Sequence, residues 1–255
     1  MNILFTICGR AGSKGIKNKN IKKFLDFPLP YYSISVIDLY MTKNPNHSVD
    51  IVLNTDSKEL INLIQDLKVN VEIIDREEEL GQDNTPKVPV ISNSLKIMKK
   101  RKSIDYDMVV DLDLTAPLRT LDDLENIINK KVDTNVDVVF SVTTSRRNPY
   151  FNMVKKSNGT FERVIESSYN TRQEAPEIYD MNASLYAYSP SFLESGKGIF
   201  EGKCDVIQMM DTAVLDLDHE IDFEFMQVIG DYLFTNYPLF GEVRNHIAYL
   251  IIPNR

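Results

Sequence analysis

Apolar runs at Ile3–Cys8, Ile51–Asn54, Val71–Ile74, Met108–Leu112 and Val138–Val142 punctuate the first half of the chain. They are short and almost unbroken by polar residues, a pattern that predicts strands buried on both faces. Between them the apolar positions change period. Ile34, Ile37 and Met41 have helical spacing, as do Leu60, Ile61, Ile64 and Leu67. Val88, Ile91, Leu95 and Met98 repeat it behind Pro86, a residue suited to a helix start. Strands alternating with helices imply a mainly parallel sheet covered by helices on both faces. Ligands of such sheets bind at the carboxyl ends of the strands.

The alternation lapses between residues 148 and 195. "NPYFNMVKKSNGTFERVIE" reads as a hairpin turning at Asn158-Gly159, an excursion suited to a lid or a dimer arm. The chain then returns through "SLYAYS" and ends in a helix near Asp222–Phe234. With no linker and no repeat, residues 1–255 are expected to form one domain carrying that insertion.

Composition narrows the function. A net charge of −8 argues against a general nucleic-acid binder, which needs a basic face. Cys8 and Cys204 cannot make a disulfide framework, and together with three scattered histidines they argue against a structural zinc site. The chain shows no basic leader before a long apolar stretch and no run long enough to span a membrane. A soluble cytoplasmic protein is expected.

The concentrated chemistry lies behind the first strand, in "GRAGSKGIKNKN". Gly9, Gly12 and Gly15 fall three apart, which is neither a dinucleotide fingerprint nor a Walker A loop, although Asp56 leaves a dinucleotide site open. Glycines allow backbone N–H groups to converge on a ligand. Arg10, Lys14 and Lys19 add the charge that would neutralise a polyphosphate.

This stretch resembles the signature of the cytidylyltransferases that activate sialic acids and related nonulosonates, Arg-Gly-Gly-Ser-Lys-Gly followed by Lys-Asn. Arg10, Ser13, Lys14, Gly15, Lys19 and Asn20 match it, and Ala11 replaces a glycine. "NTDSKEL", "REEELGQD", "DLDLTAPLRT", "TRQEAPEIYDMNASLYAYS" and "LDLDHEIDF" resemble further segments of the family in the same order. The resemblance implies a Rossmann-like nucleotidyltransferase fold with a small dimerisation arm. It also implies attack of a sugar's anomeric hydroxyl on the α-phosphate of CTP, giving a CMP-sugar and pyrophosphate.

Site residues follow from the same resemblance. Arg10, Lys14 and Lys19 would serve the triphosphate, and Ala11, Gly12, Ser13 and Asn20 would complete the nucleotide loop. Arg76, which alone reads as a surface salt bridge, would help to hold cytosine. Asp216 and Asp218 would hold Mg²⁺ and share the catalytic role with the loop cations. Alternate residues of an extended segment share a face, and two carboxylates so placed suit a hard cation. Asp113 stands where the family has glutamine. It would contact sugar, add a metal ligand or cap the turn before Thr115, and it points to the legionaminic-acid-type branch. Arg172 and Gln173 would face the sugar acid, with Asn182 and Tyr186 lining its pocket. The arm implies a homodimer, with Phe151, Met153, Phe161 and Val164 as its buried face. Two other readings compete with this one. A GT-A glycosyltransferase would also carry an Asp-x-Asp, and a regulatory module would bind nucleotide without turning it over.

Overall fold

The computed structural model describes residues 1–12, 15–82, 85–211, 217 and 219–252. In chain order the strands are β1 (Asn2–Gly9), β2 (Lys23–Phe24), β3 (Phe27–Pro28), β4 (Ser48–Thr55), β5 (Glu72–Asp75) and β6 (Met108–Leu112). They continue with β7 (Val138–Thr144), β8 (Val154–Ser157), β9 (Thr160–Arg163), β10 (Tyr179–Tyr188) and β11 (Cys204–Gln208). The helices are α1 (Leu29–Lys43), α2 (Lys58–Gln65), α3 (Lys87–Lys102), α4 (Leu121–Asp133), α5 (Pro190–Glu194), α6 (Glu220–Asn236) and α7 (Pro238–Leu250).

The central sheet has seven strands in the order β11-β7-β10-β6-β1-β4-β5. All five apolar runs read from the sequence lie in it. The returning "SLYAYS" segment enters as β10, between β6 and β7 and antiparallel to both, so the sheet is mixed at one strand. A register shift between Met181 and Tyr186, with Ala183 at φ 51°, bends β10 on entry.

Strand alternation sorts the core onto two faces. Ile3, Phe5 and Ile7 of β1 and Val110 of β6 pack against α1, α4, α6 and α7. Leu4 of β1, Val52 of β4 and Val109 of β6 pack against Ile91, Leu95 and Met98 of α3 and against α5. On this second face the register becomes polar toward the carboxyl ends. Leu4 gives way to Thr6 and Cys8, and Val109 gives way to Asp111 and Asp113. The sheet therefore exchanges core for chemistry where the parallel strands end.

Local signals explain the helix starts nearest the site. Ser57 caps α2 by accepting from the Leu60 amide at 3.2 Å. Thr120 and Asp123 form a reciprocal capping box on α4. The short β2–β3 hairpin presents Phe24, which meets Tyr32, Phe223 and Phe234 edge-on and so locks α6 to α1. Helix α7, which sequence periodicity did not single out, lies on α1 and receives the Ser35 hydroxyl at the Val243 carbonyl, 2.7 Å away.

β8 and β9 form the hairpin expected from Asn158-Gly159, whose φ values of 48° and 84° are those of the tight turn that matches strand twist. Phe161 is 71% exposed and Val154 62% in the single chain, whereas Phe151 and Val164 are half-buried. No helix among the described residues is long and apolar enough to cross a membrane.

Candidate active site

The opening loop is tied to its surroundings by backbone and side-chain contacts. The Ala11 amide donates to Asp56 Oδ1 at 2.7 Å, so the acidic residue after β4 holds the loop itself. Asn20 Nδ2 donates to the Arg10 carbonyl at 2.9 Å, and Arg10 Nη1 reaches the Gly12 carbonyl at 3.3 Å. Gly12 has φ +68°, a backbone state that favours glycine. Lys19 Nζ donates to the Leu217 carbonyl at 2.7 Å. That contact brings the tail of the loop to the residue between Asp216 and Asp218. Those two aspartates, with Ser13 and Lys14, lie outside the described residues.

Arg76 is not a surface ion pair. It is 9% exposed, its Nε donates to Asn54 Oδ1 at 3.0 Å and its Nη2 to the Asn54 carbonyl at 2.6 Å. Burial pulls the guanidinium below its ordinary pKa. Asn54 is fully buried, and its Nδ2 also reaches Ser94 Oγ at 3.0 Å and Asn93 Oδ1 at 3.3 Å. One buried amide thus ties β4, Arg76 and α3 together.

A charge cluster forms the floor. Asp111, fully buried in β6, accepts from Thr6 Oγ1 at 2.8 Å. Lys87 Nζ lies 2.7 Å from Asp111 Oδ2 and 2.9 Å from Asp113 Oδ2. The first of these is an ion pair without the angles of a hydrogen bond, whereas the second meets them. Asp113 Oδ1 accepts from the Thr115 amide at 2.8 Å and its hydroxyl at 2.7 Å, which is the turn cap anticipated for it. Burial would raise the Asp113 pKa, but Lys87 and the Thr115 donors outweigh it and hold the carboxyl far below the usual range. Burial likewise opposes the Lys87 charge and loses to Asp111 and Asp113, so the ammonium stays protonated well above an ordinary lysine. The thiol of Cys8 is pushed far up by burial and by Asp111. Arg119, fully buried below the cluster, donates to the Asp113 and Ala116 carbonyls, and burial lowers it to about 10.

Arg10, Lys19, Asn20, Arg76, Asp113, Thr115, Lys87 and Cys8 converge on one cavity of about 220 Å³. Ala11 and Gly12 line an adjoining 240 Å³ recess with Asn18 and Ser57. Tyr186 lies in a larger apolar cavity of about 670 Å³ with Tyr188, Leu193, Ile199 and Phe200, and Lys87 stands on its edge. Arg172 and Gln173 sit elsewhere, in a 570 Å³ hollow on the arm with Asn148 and Tyr179. Asn182 is enclosed: Ser141 Oγ donates to its Oδ1, and its Nδ2 reaches Met209 Sδ at 3.4 Å. Sequence reasoning missed Lys87, Asn54 and Arg119 as parts of this site. A polar Thr6 inside an apolar run was the available signal that the floor is charged.

The model of the family described as Cytidylyltransferase matches residues 4–228. The chain belongs to that family. The cytidylyltransferase is 34% identical over 228 residues to a Campylobacter coli protein called post-translational flagellin modification protein B, covering 89% of this chain and 94% of that one. It is also 34% identical over 227 residues to the CMP-N,N'-diacetyllegionaminic acid synthase of Campylobacter jejuni, again covering 89% and 94%. Among solved structures it resembles a CMP:2-keto-3-deoxy-manno-octonic acid synthetase complexed with CTP, at TM-score 0.64 and 12% identity, covering 91% of this chain and 99% of that one. At that identity the last likeness concerns the fold.

Proposed function

We propose that this cytidylyltransferase activates a nonulosonic acid of the legionaminic type. The anomeric oxygen attacks the α-phosphorus of CTP, the bond from that phosphorus to the bridging oxygen breaks, and pyrophosphate leaves with the electron pair while the hydroxyl proton passes to solvent or a base. The product is the CMP-sugar. Such a transfer requires placement and charge neutralisation more than covalent participation by the protein.

The observation that carries this reading is the convergence of Arg10, Lys19, Asn20 and Arg76 on one small cavity at the carboxyl end of β1. Arg10, Lys14 and Lys19 would neutralise the triphosphate, and Arg76, fixed by Asn54, would hold cytosine near the loop. The 670 Å³ cavity supports an N-acylated sugar, because Tyr186, Ile199 and Phe200 offer apolar surface to acyl and methyl groups. Asp216 and Asp218 would hold Mg²⁺. Lys19 of the loop donates to the carbonyl of Leu217, the residue between them in sequence, which supports that role. When bound, that ion would supply positive charge to the phosphate oxygens and the leaving pyrophosphate. Arg172 and Gln173, on the arm, would serve the sugar across a homodimer, and the location would be cytoplasmic.

The test is pyrophosphate release from CTP, UTP, ATP and GTP against N,N'-diacetyllegionaminic, pseudaminic and N-acetylneuraminic acids. CTP with the legionaminic derivative is the expected best pair. Equal use of UTP would refute the base recognition, and a clear preference for another acid would refute the branch.

A further inference from the structure

We propose that Lys87 is a substrate-binding residue of the transfer, receiving the carboxylate of the sugar acid; the inference rests on the nonulosonate reading above. Among the described residues, Lys87 is the one common to the lining of the 220 Å³ nucleotide cavity and of the 670 Å³ apolar cavity. Arg10 and Lys19 line the first and Lys197 the second, but none of these cations lines both.

The chemistry of the acceptor makes this junction special. In a 2-ulosonic acid the carboxylate is bonded to the anomeric carbon that also bears the attacking hydroxyl. The carboxylate therefore arrives within a few bonds of the α-phosphate, where the two cavities meet, and it brings negative charge toward a triphosphate. A fixed cation at that junction offsets the repulsion.

Lys87 is built to be that cation. As the first residue of α3 it stands at the positive end of a helix, a poor place for an ammonium without compensation. Asp111 and Asp113 supply the compensation from two sides, at 2.7 Å and 2.9 Å. Its side chain is nevertheless 31% exposed, whereas that of Asp111 is sealed at 0%. An ammonium has three donors, and even if each carboxylate takes one, a donor is left for a ligand.

Lys87→Met should raise the KM for the sugar acid about tenfold or more, the size expected of one charge-assisted hydrogen bond, while the KM for CTP stays within about threefold. Because the single variant strands the Asp111 carboxylate, Lys87→Met/Asp111→Asn is measured beside it. Removing both charges should return the melting temperature toward wild type and leave the sugar KM raised. A double variant with wild-type sugar KM would show that Lys87 only balances Asp111, and would overturn the inference. So would a rise confined to CTP. A wild-type enzyme that turns over none of the nonulosonic acids with CTP would instead overturn the functional reading and the inference with it.

Discussion

Removing the Asn54 side chain should damage stability and nucleotide binding together. Asn54→Ala deletes the acceptor for Arg76 Nε at 3.0 Å and the donor to Ser94 Oγ at 3.0 Å, in a position with no exposed surface. A hydrogen bond to a buried guanidinium contributes roughly 1.5–3 kcal/mol, and the neutral bond about 1 kcal/mol. Ser94 keeps its own donation to the Val90 carbonyl at 2.9 Å, and Asn93, nearer the surface, can turn to water, so their losses stay small. The expected total is about 3 kcal/mol, which in a chain of this size lowers the melting temperature by roughly 6–12 °C. Arg76 retains one anchor, its bond to the Asn54 carbonyl at 2.6 Å. It should therefore loosen rather than leave, and the KM for CTP should rise several-fold while the KM for the sugar acid holds. Urea unfolding followed by circular dichroism, paired with initial rates, measures both. Wild-type stability would refute the energetic argument. A destabilised protein with unchanged CTP affinity would reduce Arg76 to a structural cation.

Gly230→Ala opposes a helix-propensity gain of about 1 kcal/mol with an overpacking penalty of about 1–3 kcal/mol, because the new Cβ would lie 2.5 Å from Phe24 Cζ. A net loss near 1 kcal/mol is expected by thermal melting, and a rise in melting temperature would contradict it. Asp113 has a depressed folded pKa, so its stabilising contribution is present above the unfolded value of about 3.9 and disappears as pH falls through the folded one. Asp113→Asn should flatten the decline of urea midpoints below about pH 4, and parallel declines would contradict that. Asp218→Asn should abolish Mg²⁺-dependent turnover in a folded protein, whereas normal turnover would exclude it as a ligand. Inactive Arg172→Ala and Asp216→Asn proteins refolded together should regain part of the activity if each site takes residues from two chains; a monomer by light scattering would remove the dimer itself.

What was legible in the chain depended on the range of the interaction. The buried strands declared themselves because a strand covered on both faces must be apolar almost throughout, as in Met108-Val109-Val110. The Asn158-Gly159 turn was equally plain, since its two positive φ values demand those residue types. The place of β10 was not readable. Its alternating "SLYAYS" fits an edge as well as a centre, and its insertion between β6 and β7 depends on partners far away in sequence. Arg76 misled in the other direction: an arginine after a strand suggests surface, and only the polar Asn54 inside the neighbouring strand explains how a guanidinium is buried there.

The site and the fold meet in the charges beneath the second sheet face. Asp111 would be an expensive residue in the middle of an apolar strand if it served stability alone, because a carboxylate sealed from water must be matched by a cation and by hydrogen bonds. Here Thr6 and Lys87 provide those partners, while Arg119 lies below with its Nη1 unpartnered among the described residues. Two carboxylates, Asp111 and Asp113, stand against two cations, Lys87 and Arg119, so the group is close to neutral as a whole. It is not neutral in layout, since Arg119 is buried beneath and Lys87 stands at the cavity rim. Lys87 therefore reaches the cavity beside Asp113, where the proposed reading brings an anionic sugar and an anionic nucleotide together. A core of simple hydrophobic residues at positions 6, 87 and 111 could close the same sheet, but it could not present that cation.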